Sequence, residues 1–184
     1  KQAEGRNIFP PFFYMHNIRL VIQYDGTAYH GWQVQPEVVT VEEVLTDRLG
    51  RITGLETKLS AAARTDSGVH ARCQVVSFRT DSSIPPGKLK LALNRLLPAD
   101  IVVAKASFAP ENFNARYSAK CRLYRYTILN RSFRSPFDLR YCYFFPYAID
   151  TGIMQQGAKI WVGKHDFSSF HGKFWQKKQL HSHG

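Results

Sequence analysis

The sequence predicts an α+β fold: a split βαβ (ferredoxin-like, RNP-like) antiparallel sheet with helices on one face. Three observations carry this. The order of periodicities through residue 107 reads strand, helix, strand, strand, helix, strand. Both helical segments carry an apolar stripe on one side only. Hydrophobic residues make up 44% and charged residues 21% of the 184, a globular balance with length for one ordinary domain or two small ones.

The first strand is Ile18 to Tyr24, with Ile18, Leu20, Ile22 and Tyr24 on one face and Arg19, Val21 and Gln23 on the other. Asp25-Gly26 ends it with turn chemistry. Thr40 and Glu43 form a capping box. Val41, Val44, Leu45, Leu49 and Ile52 then recur at helical spacing, and Gly54 marks the stop. A second helix spans about Gly87 to Leu97, with Leu89, Ala92, Leu93 and Leu96 on one face and Pro98 beyond its end. Further strands are expected at Leu59 to Ala63, Cys73 to Arg79, Ile101 to Ser107 and Ser118 to Leu129. Arg131 to Tyr147 reads as a loop or broken strand rich in Arg and aromatics, and a shorter helix follows around Thr151 to Val162. The resulting division is an N-terminal extension at 1–17, an α+β domain at 18–108, a second α+β half starting at 109–172 and a polar tail at 173–184.

The extension is apolar from Ile8 to Tyr14, but two prolines interrupt it and no small-residue cleavage site follows, so it does not read as a secretory signal. Met15, three residues before the first strand, is the expected translation start. No apolar run approaches the roughly 20 residues that span a bilayer, so no membrane partner is expected. A formal net charge of +11 favours polyanions, nucleic acid before anionic lipid. The cysteines (Cys73, Cys121 and Cys142) are odd in number and widely spaced, without a CxxC pair. They indicate neither a zinc site nor a disulfide framework. Two are expected to pack as small hydrophobes, and the usage fits a reducing cytoplasm. His181 and His183 lack the further ligands of a metal site. No GxGxxG or GxxxxGK[ST] loop is present, which argues against a small-molecule enzyme or phosphate-binding protein.

Two segments carry chemistry. Arg64-Thr65-Asp66-Ser67-Gly68-Val69-His70-Ala71 lies between two strands, so its carboxylate sits on a loop with rigid flanks. The plainer reading is a β-hairpin whose Asp66 makes an Asx-turn, with a structural His70. The second segment is Phe113-Asn114-Ala115-Arg116-Tyr117, continuing to Arg122-Leu123-Tyr124-Arg125-Tyr126. Alternation would put Lys120, Arg122, Tyr124 and Tyr126 on one face, with Cys121, Leu123 and Leu129 on the other. Such a cationic, aromatic face suits RNA, and so does the face of the sheet away from the helices. Its plainer reading is a solvated strand with ordinary cross-strand aromatic pairs.

Five blocks taken together resemble the TruA-type pseudouridine synthases. They are Asp25-Gly26-Thr27 with Gly31-Trp32-Gln33, the 64–71 segment, Phe113-Asn114-Ala115-Arg116, Tyr124-Arg125-Tyr126 and Asp166-Phe167-Ser168-Ser169-Phe170, all in family order. The resemblance implies isomerisation of uridine to pseudouridine at positions thirty-eight to forty of the tRNA anticodon stem-loop. It implies a homodimer that uses no cofactor or metal. It implies Asp66 as the essential carboxylate, Arg64 as the residue that flips the nucleotide and Tyr124 as a ring against the target base that helps proton transfer. Arg116, Lys120 and Arg122 are the further expected RNA contacts. A carboxylate can serve as nucleophile toward the sugar or as base toward a sugar proton, and the residues leave both open. An ionised Asp66 is needed in either case, and a nearby guanidinium would favour it.

The resemblance also implies a second half roughly equal to the first. The chain stops early in that half, and the family segment whose arginine pairs with the catalytic Asp is absent. Residues 173–184 do not resemble the family. The expectation is a truncated chain with an incomplete second half, exposed apolar surface and an exposed strand edge. The competing functional expectation is a catalytically inactive RNA-binding module.

Overall fold

A strand paired along both edges organises the first part of the chain. The computed structural model describes residues 15–170 and divides them into two compact units, one ending at Tyr124 and the other beginning at Arg125. The calls on the extension upstream of Met15 and on the tail at 173–184 lie outside the described residues. His16 and Asn17, assigned above to the extension, already belong to the first strand.

In the first unit the order is β1 (His16–Tyr24), α1 (Val41–Thr53), β2 (Ser60–Ala61), β3 (Ala71–Thr80), α2 (Pro86–Leu96) and β4 (Ile101–Phe108), with a short 3-10 turn at Gly26–Ala28. The sheet runs β2-β3-β1-β4, every pairing antiparallel. Ile18 faces Phe78 and Leu20 faces Val76 across β1 and β3. The pleat therefore gathers Ile18, Leu20, Ile22, Tyr24, Val76 and Phe78 on one side. There they join Val41, Leu45 and Leu49 of α1, Leu89 and Leu93 of α2, and Ile101 and Val103 of β4 in a single buried cluster. Register shifts interrupt β1 at Val21/Ile22 against β4 and at Ile22/Tyr24 against β3, so the ladder is bent where β1 runs into the Asp25 turn.

The helix signals hold. Thr40 Oγ1 accepts from the Glu43 N–H at 3.4 Å, the forward half of the box, and Gly54 closes α1 at φ 73°. In α2 the predicted stripe fails at its last member: Leu96 is exposed and Leu97 is buried instead. Leu97 is extended (φ −69°, ψ 146°), so the 3.6-residue period stops there and the next side chain turns inward.

A larger correction concerns residues 109–129. The strand expected from Ser118 to Leu129 is absent over most of its length; only Ile128–Asn130 is strand, and Leu123 is 89% exposed. Alternation supplies two faces but no ladder partner, and a strand needs both. Residues 109–118 instead form a strap across the sheet face opposite the helices. The Ala109 N–H donates to the Asn17 carbonyl at 2.8 Å. Asn17 Nδ2 donates to the carbonyls of Pro110 and Phe113 at 2.6 and 2.8 Å, and Arg79 donates to Glu111 O at 3.0 Å. The Ala115 N–H donates to Ser77 Oγ at 3.0 Å, and Ser60 Oγ lies 2.8 Å from Asn114 Oδ1. That face is thus partly occupied by the chain itself. The strap also joins residues 109–124 to the first unit, past the expected division at 108/109.

In the second unit β5 (Ile128–Asn130) and β6 (Tyr143–Phe145) pair in parallel, and α3 (Thr151–Ile160) follows, capped by Asp150 Oδ1 on the Ile153 N–H at 3.0 Å. No residue of α3 is buried. Tyr126, Tyr143, Phe145 and Tyr147 form a chain of ring contacts with centroids 6.2, 6.4 and 5.5 Å apart. The Asp166–Phe170 segment ends in a 3-10 turn, with Phe167 stacked on Trp161 at 5.8 Å. Cys73 and Cys121 are exposed and Cys142 is half-buried, so the expected packing of two cysteines as core hydrophobes does not occur. Cys142 Sγ faces the Asp138 carbonyl at 3.1 Å.

Leu93→Ala is expected to destabilise the protein by about 2–5 kcal/mol through the cavity it leaves, and Leu91→Ala, on the exposed side of α2, by less than about 0.5 kcal/mol. Urea denaturation checks both; equal losses would contradict this packing of α2.

Candidate active site

β2 and β3 are antiparallel neighbours, so residues 62–70 form the loop of a hairpin, as the plainer reading required. Its other half fails: the Asp66 carboxylate makes no Asx-turn. The turn is closed by backbone, with the Val69 N–H donating to Asp66 O at 3.2 Å and Gly68 at φ 75°. Among the described residues, the Asp66 side chain has neither a hydrogen bond nor an ion pair, and it is exposed. Among the described residues no guanidinium is paired with it, and Arg64 is exposed on the same loop.

The loop is nevertheless tightly held, by residues 24–33. The Trp32 N–H donates to Thr65 O at 2.9 Å and the Gly68 N–H to Tyr29 O at 3.1 Å. The Tyr24 hydroxyl and Thr65 Oγ1 are 2.8 Å apart. At the far side the Gly26 N–H donates to His70 Nδ1 at 3.1 Å. Below the loop, Gln74 Nε2 donates to the Ala63 carbonyl. Two glycines make this contact possible. A Cβ on Gly26 would run into the Val69 carbonyl, and one on Gly31 would sit 2.5 Å from Thr65 O. The blocks around Asp25 to Gln33 and Arg64 to Ala71, separate in sequence, are therefore one packed unit. Trp32, 2% exposed, fixes that unit to the core beside Tyr24.

Of the other sequence-predicted residues, Arg122 is tied to this loop: its Nε and Nη2 donate to the Ala62 carbonyl at 3.0 and 2.7 Å. Two of its five N–H groups are thus committed inside the protein. Arg116 lies over its neighbour Tyr117 at 5.6 Å, and Lys120 is exposed. Tyr124, 72% exposed, shares no hydrogen bond or ring contact with Asp66 among the described residues. Sequence reasoning named Asn114 only within its segment and missed its role: its Oδ1 accepts from the N–H groups of Arg116 and Tyr117 at 2.9 and 3.3 Å and shapes the strap. It also missed Asn17 and Ser77. Among the described residues, no group of three or more His, Cys, Asp or Glu could hold a metal ion, and no helix is long and apolar enough to cross a membrane.

A family model described as tRNA pseudouridine synthase matches residues 20–118, from β1 to the end of the strap. The chain belongs to that family. Among similar curated proteins is the tRNA pseudouridine synthase A of Thermoanaerobacter sp. (strain X514), 48% identical over 156 residues. Those of Caldicellulosiruptor saccharolyticus and Clostridium acetobutylicum are 47% and 42% identical over the same length. Each match covers 85% of this chain and 64% of the relative. The family match encloses the clamped loop, its supporting turn and the strap, and stops before Tyr124.

Two tyrosines of the support hold their protons strongly. Burial raises the Tyr24 phenol, opposed by its hydrogen bonds with Thr65 and Gln74. Burial also raises Tyr29, followed by its bond to Asp100 Oδ1 at 2.6 Å and the charges of Asp100 and Asp25. Both folded values lie above the ordinary 10.0, so their stabilisation is complete below about pH 10 and is lost as pH rises past it. Urea midpoints measured from pH 8 upward are expected to fall above about pH 10. The fall should be shallower in a Tyr24→Phe, Tyr29→Phe double variant; an unchanged slope would contradict the assignment.

Gly26→Ala forces backbone against backbone and is expected to cost about 2–4 kcal/mol. Gly68→Ala meets open space and incurs only the positive-φ strain, about 1–2 kcal/mol. Equal losses by urea denaturation would argue against the close approach.

Proposed function

We propose that this chain carries the catalytic carboxylate and much of the RNA-binding surface of a pseudouridine synthase acting on the tRNA anticodon stem-loop at positions thirty-eight to forty, without a cofactor. One observation carries the reading: within the matched family segment, an exposed carboxylate with no partner among the described residues stands on a loop whose backbone is held from several sides. Such a group is accessible to a substrate and fixed in place. The β4-β1-β3-β2 strand order supports the split βαβ description.

The reaction breaks C1′–N1, turns the uracil, joins C1′ to C5 and removes the C5 proton. Asp66 supplies an ionised carboxylate, which serves either covalent attack on the sugar or removal of a sugar proton. The target base must leave the stack for either to occur. Arg64, on the same loop, fills the vacated space, and Tyr124 covers the extruded base. Arg116, Lys120 and the uncommitted N–H groups of Arg122 meet phosphates. Three free cysteines fit a reducing compartment, and we read the reaction as cytoplasmic and the enzyme as a homodimer.

The test is tritium release from tRNA carrying uridine labelled at C5. The parent chain is expected to release label. Asp66→Ala should release none while binding tRNA within about twofold of the parent. Arg64→Ala should lower the slope of log affinity against log salt by about 1. Full release by Asp66→Ala would sink the assignment. Salt-sensitive binding by the parent without release would leave an RNA-binding module.

A further inference from the structure

We infer that His70 is the positioning residue for Asp66, acting through the Gly26 backbone; the inference rests on the reading of Asp66 as the catalytic carboxylate. Because the Asp66 side chain has no partner among the described residues, its location follows from the path of its backbone alone. That path is set by clamps on either side. Upstream, Thr65 is held through its carbonyl by Trp32 and through its hydroxyl by Tyr24. Downstream, the Gly68 N–H is held by the Tyr29 carbonyl, and the next hold is His70 on Gly26. Gly26 lies so close beneath Val69 that no Cβ fits between them. A small shift of Gly26 therefore moves the 68–70 backbone directly, and the 66–69 turn moves with it.

His70 is the imidazole in this support, and its role depends on which ring nitrogen carries the proton. Accepting from the Gly26 N–H requires a lone pair on Nδ1, which puts the proton on Nε2. Asp25 Oδ1 stands 3.0 Å from the same Nδ1, so a ring with its proton on Nδ1 donates to Asp25 instead and holds the same turn through that carboxylate. Its charge is met by the N–H of Thr27 at 3.0 Å and by the Thr27 hydroxyl, so Asp25 caps the Gly26–Ala28 turn. The peptide of Gly26 is thus held from both ends: Asp25 and Thr27 fix the turn, and His70 takes its N–H. The Asp25 N–H in turn donates to Asp100 O at 2.9 Å, which anchors the turn to the α2–β4 connection. His70 is half-buried and well placed for this hold.

The test compares His70→Phe, which keeps a ring but loses the acceptor, with His70→Asn, whose Oδ1 reaches the Nδ1 position. Amide hydrogen exchange of the whole chain is read at Gly26 and across residues 64–70, with α1 as the internal reference. His70→Phe is expected to speed exchange at Gly26 and residues 66–70 by tenfold or more, leaving α1 unchanged, and His70→Asn to restore it. With labelled tRNA, His70→Phe should lower kcat at least tenfold with KM within twofold, and His70→Asn should recover most of kcat. Unchanged exchange in His70→Phe overturns the inference. So does faster exchange across α1 as well, which would make His70 a support of the whole fold, and so does equal loosening in both variants. A parent chain without tritium release defeats the functional reading; the exchange data then still decide whether His70 places the loop.

Discussion

Two stretches of backbone lie against each other at Gly26 and Gly31 on one side and residues 65–69 on the other, with no side chain between them. Everything proposed for the loop depends on this approach. It turns a hairpin connection, usually among the more mobile parts of a domain, into a fixed edge of the core. It also explains the surroundings. Trp32 is buried in the core beside Tyr24 while its N–H reaches Thr65 O. The β1 ladder is irregular near Tyr24, where the strand must deliver Asp25 to the turn.

The strap is the second constraint. It uses side chains of the sheet (Asn17, Ser77 and Arg79) to satisfy backbone of a segment without regular structure, and Ser60 to hold the Asn114 side chain. Residues 109–118 can thus pack against the sheet without forming a ladder, with Ala115 buried. Arg122 continues the same logic by engaging the Ala62 carbonyl at the sheet edge. A cation that looks free in the sequence is partly spent on architecture.

The parts legible in sequence were those governed by period. β1, β3, β4 and both helices follow from alternation, capping and 3.6-residue stripes. The 64–71 segment stood out by composition, and the hairpin around it was foreseen. What stayed hidden was contact between segments. Backbone hydrogen bonds from Trp32 and Gly68 leave no mark on residue type, and Asn17, Ser77 and Asn114 look like ordinary polar residues. Gly26 and Gly31 were the available signal for close approach, and their meaning needed the partner loop. The strand expected at Ser118 to Leu129 failed for the same reason, since alternation says nothing about a neighbour. In the second unit the periodicity of α3 was readable, yet none of its residues is buried among those described.

The placement of Asn17 has a consequence for how the chain is made. Its side chain is satisfied by carbonyls 93 and 96 residues downstream. At bacterial-like synthesis rates of about 5–20 residues per second, that amide waits roughly 5–20 seconds for its acceptors. β1 likewise has no ladder neighbour until residues 71–80 have emerged. The strand that becomes the centre of the sheet is thus translated well before either of its ladder neighbours. During that interval the apolar side of β1 has no sheet neighbour beside it, and faster synthesis of residues 71–108 shortens the time it stands unpaired.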